Sequence, residues 1–185
     1  MNYFKFSVKQ LVATVAGAAL FFLLARFLSF PTPFYPDTYL ALQYAVIGAF
    51  AAVFGPIAGL LIGLIGHALT DFTSFGWGGI WWSWVVASAV TGLLSGFLLK
   101  PGRVSAGYFS KVDALRFILG SLVIHAICWC VIAPGLDILI YSEPADRVFQ
   151  QGIITGIGNF IVTAIIGALI LLGYASTRVK PDDPV

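Results

Sequence analysis

Six stretches of this chain are too apolar to sit in water, at about 10–28, 40–54, 56–70, 80–99, 114–133 and 150–173. No other feature restricts the fold as much. Backbone N–H and C=O groups placed in hydrocarbon find no solvent partner, and a helix satisfies them within its own segment. Composition agrees. Only 10% of residues are charged and 59% are hydrophobic, whereas soluble domains carry about 25% charged residues. The chain is therefore expected to be an all-α integral membrane protein, a bundle of six transmembrane helices in one domain over residues 1–185. Its 185 residues leave no room for a soluble catalytic domain.

The region from 40 to 70 admits one long helix or two short ones. One helix of 30 residues would be about 45 Å long, against a hydrocarbon core of about 30 Å. Gly55-Pro56 sits near the middle. Proline is costly inside a helix but welcome at its first position, so the pair reads as the end of one helix and the start of the next. Charge supports the six-span count. Lys5, Lys9, Lys100, Arg103, Lys111, Arg116, Arg178 and Lys180 then fall on one side, with both termini. Asp37, Asp71, Asp137, Glu143 and Asp146 fall on the other, with only Arg26 and Arg147 as cations. Basic loops stay in the cytoplasm, which makes the termini cytoplasmic and places the protein in the cell membrane as a multi-pass chain. The first apolar run lacks a cleavage-like site and ends in Arg26-Phe-Leu-Ser-Phe, so it reads as a retained span.

Small residues recur at helical spacing. Gly55, Gly59, Gly63 and His67 are four apart, as are Ala13 and Gly17. Small residues four apart let two helices approach closely in lipid. Two readings stay open: tight packing inside the bundle, or a smooth face for a partner subunit. The last span carries Gln151, Thr155, Asn159, Thr163 and Gly167, also four apart. That line suits either inter-helix hydrogen bonds or, in its outer part, a ligand pocket. Cys128 and Cys130 point about 200° apart on a helix and read as inert thiols.

Polar and aromatic groups converge near the outer surface: Tyr39, Gln43 and Tyr44, then His67 and Asp71, Trp77, Trp81, Trp82 and Trp84, His125 and Trp129, and Gln151 and Asn159. Tryptophans mark membrane interfaces, but a belt serves both interfaces, and four of the five lie within eight residues on one side. A concave aromatic pocket with a few polar groups is what a small-molecule site needs, and intramembrane histidines are functional candidates. No metal-binding motif is present, and no catalytic nucleophile–base set. There is no phosphate-binding G-x-x-x-x-G-K-[ST] loop, so ATP hydrolysis would come from elsewhere. No basic surface for nucleic acid is present.

Six short spans, a small-residue ladder in the first helix and aromatic outer loops resemble the substrate-binding S components of energy-coupling factor (ECF) importers of the ABC transporter class. The similarity is closest in "LQYAVIGAFAAVFGPIAGLLIGLIGHALTD" at 42–71 and the following "WWSWV". The resemblance implies a vitamin captured at the outer face, with no cofactor and no enzymatic activity. It implies a transmembrane coupling subunit and two cytoplasmic ATPases as partners. It places the docking face on Ala13, Ala16 and Gly17, although the family pattern has alanine where Gly17 stands. The chain looks most similar to proposed cobalamin (corrinoid) carriers; another vitamin, a queuosine precursor or methionine remains open as substrate. A self-sufficient small-solute carrier is the competing class. It requires a continuous polar path, for which the inner halves of spans two to five offer only Ser88, Thr91 and Ser95.

Overall fold

The computed structural model describes Tyr3 and residues 7–180; Lys5, counted above among the cations, lies outside the described residues. The fold is helical: α1 Val8–Phe27, α2 Gln43–Phe54, α3 Pro56–Phe75, α4 Trp82–Ser95, α5 Lys111–Tyr141 and α6 Ala145–Ser176. α1, α3, α5 and α6 are long and apolar enough to cross a membrane. α2 and α4, with 12 and 14 residues, reach only about 18 and 21 Å. Leu11, Val15, Leu119, Val123, Ile157 and Leu169 are exposed on the outside of the bundle, where lipid tails would cover them.

Local chemistry sets the breaks. Gly55 has φ of 100°, a left-handed geometry open to glycine; it closes α2, and Pro56 opens α3. Pro134 sits inside α5, contrary to the expectation that this span ends near 133. A proline clashes with the carbonyl four residues back, here that of Cys130. A π turn at Cys128–Ile132 directly precedes it, and such widened turns accommodate insertions that an α-helix cannot. The helix therefore continues to Tyr141 and carries Asp137 with it. A second π turn lies in α6 at Thr163–Gly167. The proline-rich segment after α1 forms an antiparallel ribbon, β1 Ser29–Pro31 with β2 Tyr39–Ala41, Ser29 facing Ala41.

The glycine ladder is spent on α3 against α4. A Cβ on Gly59 would overlap the Gly92 carbonyl, and one on Gly63 would overlap the Ser88 carbonyl. Only glycine allows backbones to meet this closely. α1 lies on the other side of α3. Its Ala13, Thr14, Gly17, Ala18 and Phe21 are buried, and a Cβ on Gly17 would press on Ile62 and Phe50. Of the residues expected on a docking face, Ala13 and Gly17 are buried within the chain, Gly17 against Ile62 and Phe50, and only Ala16 is exposed.

The two ends of the bundle differ. At one end Gly107 lies against Lys180 and Arg178, Gln10 donates to the Phe54 carbonyl at 2.9 Å, and Arg103 pairs with Asp113 at 2.8 Å. Val104, Phe117 and Leu171 fill the space beneath. At the other end the β ribbon, the turn at Trp77–Gly79 and the α5–α6 turn surround a void.

Candidate functional site

That void is a cavity of about 870 Å³, reaching from the ribbon down to Phe21, Tyr44 and Trp129. Every helix contributes to its wall, but three local structures give it shape. The first is a carboxylate hub. Asp137 is buried on α5 and accepts from the indole N–H groups of Trp81 and Trp84, each at 2.6 Å, and from the Ser83 hydroxyl. Charge-assisted bonds of this kind are about twice as strong as neutral ones. Tyr141 adds a link, its hydroxyl accepting from the Trp82 N–H at 3.0 Å. The turn between α3 and α4 is thus bound to the far half of α5, the half that the π turn makes possible.

The second is a polar chain across the floor. The Tyr44 hydroxyl lies 2.8 Å from Ser88 Oγ, and His67 Nδ1 lies 2.6 Å from the same oxygen. His67 Nε2 faces Asp71 Oδ1 at 3.7 Å, one helical turn along α3, while Asp71 Oδ2 accepts from the Trp81 N–H at 3.0 Å. Ser88 reaches this position because the Gly63 contact draws α4 onto α3. The third is the rim. Arg147 lies 3.5 Å from Asp37 and 3.7 Å from Glu143, and the Gln151 amide donates to the Pro36 carbonyl at 3.4 Å. These bonds tie the ribbon to α6.

Aromatic rings supply the walls. Trp84 and Trp129 have centroids 5.4 Å apart, Tyr44 meets Trp129 edge-on at 5.1 Å, and Trp81 lies 4.6 Å from Tyr141. Such flat, rigid faces present large apolar area and favour planar ligands.

The structure divides the expected site residues. Tyr39, Gln43, Tyr44, His67, Asp71, Trp81, Trp84, Trp129 and Gln151 line the cavity. Trp77 and Trp82 do not: Trp77 is 78% exposed against Phe72, and the Trp82 ring turns outward. His125 sits behind the wall, where its Nδ1 accepts from the Trp129 indole N–H at 3.0 Å and its Nε2 meets Thr163 Oγ1 at 3.0 Å. Asn159 is fully buried outside the cavity lining. Sequence reasoning missed Asp137, Arg147 and Glu143 as lining residues. The signal for Asp137 was present, a lone carboxylate in "PGLDILIY". Its weight was lost by placing that segment in a loop. Among the described residues no group of three or more His, Cys, Asp or Glu side chains is arranged to hold a metal.

Comparison with known proteins adds the family. The family model described as "ECF-type riboflavin transporter, S component" matches residues 5–176. UPF0397 proteins of Staphylococcus aureus strains JH9, N315 and Mu50 are each 45% identical over 174 residues, covering 94% of this chain and 93% of theirs. Neither comparison supports the cobalamin assignment. An aromatic-walled cavity at one end of an apolar helical bundle, matched along nearly its whole length by one transporter family, places this chain in the family of S components of ECF-type riboflavin transporters, as a multi-pass protein of the cytoplasmic membrane and a transport subunit.

Proposed function

We propose that this protein captures a vitamin-sized planar heterocycle, with riboflavin as the lead, in the cavity between the ribbon and the Trp81–Trp84 wall. The observation that carries the reading is the cavity itself: about 870 Å³, lined by seven aromatic side chains and a few fixed polar groups. Ligand sites of roughly 300–1,000 Å³ bury drug-sized molecules. The family description, which names riboflavin, points the same way.

In this reading all six helices span the membrane and both termini are cytoplasmic. The basic end, with Lys100, Arg103, Lys111 and Arg178, faces inward, as positive loops do, and the cavity opens outward. A transmembrane coupling subunit and two ATPases would drive release to the cytoplasm. Binding contacts come from Tyr39, Gln43, Tyr44, His67, Asp71, Trp81, Trp84, Trp129 and Gln151.

Two measurements test this. The chain purified in detergent should carry a small molecule identifiable by mass spectrometry, and added riboflavin should quench its tryptophan fluorescence saturably. Absence of both would remove the capture function. Impermeant labels should reach Lys111 only from the cytoplasmic side; labelling from outside would invert the topology.

A further inference from the structure

The cavity floor presents two polar atoms whose neighbours are already fixed. The buried Tyr44 hydroxyl lies 2.8 Å from Ser88 Oγ, and His67 Nδ1 lies 2.6 Å from the same oxygen. One proton arrangement, Tyr44 donating to Ser88 and Ser88 donating to His67 Nδ1, gives both hydroxyl hydrogens an acceptor within this chain of groups. A neutral imidazole accepting at Nδ1 carries its proton on Nε2. In that arrangement His67 Nε2–H faces Asp71 Oδ1. Their separation of 3.7 Å exceeds a hydrogen bond. The other oxygen, Asp71 Oδ2, accepts from the Trp81 backbone N–H at 3.0 Å. Both residues line the cavity and both side chains keep some exposure, 17% and 12%. A donor and an acceptor thus stand side by side, each held from behind, with a gap between them.

We propose that His67 Nε2–H and Asp71 Oδ1 together read a ring amide edge of the ligand, an adjacent C=O and N–H as in a lactam, imide or ureide. The carbonyl accepts from His67 while the N–H donates to Asp71. Paired contacts of this kind discriminate because the wrong edge leaves two buried groups unmade at once. The carboxylate of Asp137 already accepts from three donors of this chain and serves to hold the wall. The inference rests on the cavity being the ligand site and adds the chemical class that the floor selects.

The test uses the purified full chain with three probes: riboflavin, which has an imide edge; 3-methylriboflavin, in which that N–H is masked; and thiamine, which lacks a ring amide. Binding is read by tryptophan fluorescence and calorimetry. The wild type should bind riboflavin at least tenfold more tightly than 3-methylriboflavin. Asp71→Asn places an amide NH₂ or a misdirected oxygen in the gap and should shrink that ratio below threefold. His67→Gln, which retains an N–H donor, should keep more of the preference than His67→Leu, and it serves as the second line should Asp71→Asn fold poorly. Equal affinity for the two flavins, or an unchanged ratio in both Asp71→Asn and His67→Leu, would overturn the inference while leaving the capture function standing. Tight binding of thiamine in place of the flavins would do the same. If no probe binds the wild type, this inference and the flavin reading fall together.

Discussion

The α3–α4 interface and the cavity wall opposite it are made from the same stretch of sequence to opposite ends. At Gly59, Gly63 and Gly92 nothing larger than hydrogen fits, and the Ser88 carbonyl lies against Gly63. One and two turns further on, His67 and Asp71 line the cavity, and Trp81 and Trp84 donate to Asp137. Close contact at one level positions the cavity wall at the next. Ser88 shows the coupling most clearly, since its carbonyl lies against Gly63 while its hydroxyl anchors His67. Packing and recognition share one residue, so damage to the ladder should propagate into the cavity, whereas damage to the cavity rim should stay local.

The largest break should come from Gly59→Leu. The added side chain meets a backbone carbonyl, which cannot rotate aside as a side chain can. Overpacking costs about 1–3 kcal/mol and more where the backbone has to move, so the expected loss is about 3 kcal/mol or more, read as a collapse in thermal stability and monodispersity in detergent. Normal melting would show that α3 and α4 are further apart than described. Asp137→Ala should come next. It strands the buried Ser83 hydroxyl, at about 1–3 kcal/mol for a buried unmet group, and releases the part-exposed indole N–H groups of Trp81 and Trp84. Both melting temperature and ligand affinity should drop, and an affinity loss below tenfold would deny the hub its part in shaping the cavity.

Trp84→Ala sharpens the comparison from the other side. Removing one aromatic wall should weaken ligand binding by about tenfold, near 1.4 kcal/mol, measured by calorimetry, with a smaller shift in melting than Asp137→Ala produces. The smallest effect belongs to Trp82→Ala. Its ring is 45% exposed and turned away from the cavity, and only its backbone N–H meets Tyr141. Affinity should change less than twofold, and a tenfold loss would place Trp82 in the site after all.

Much of the fold could be read from local chemistry. Gly55-Pro56 specified a helix break because proline cannot donate inside a helix and glycine alone relaxes into positive φ. The uneven spread of lysine and arginine separated the two ends of the bundle. The tryptophan cluster pointed to the end that holds the cavity. What could not be read were pairings across the sequence. The ladder on α1 and the ladder on α3 look alike as text, yet both turn inward, because a small residue says only that something approaches closely and not what. Pro134 looked like a helix stop, and the π turn before it is a compensation that no single residue announces.

The sequence by itself determined that this chain enters a membrane, that a helix breaks at Gly55-Pro56 and which end is basic, since transfer free energy, proline geometry and charge act on each residue where it stands. Only the tertiary structure decided which aromatics face the cavity, that Asp137 gathers them, and that Ser88 holds His67 beside Asp71. Those facts depend on the angle and depth at which helices meet, and that is set by many small contacts summed over partners 21 to 56 positions apart.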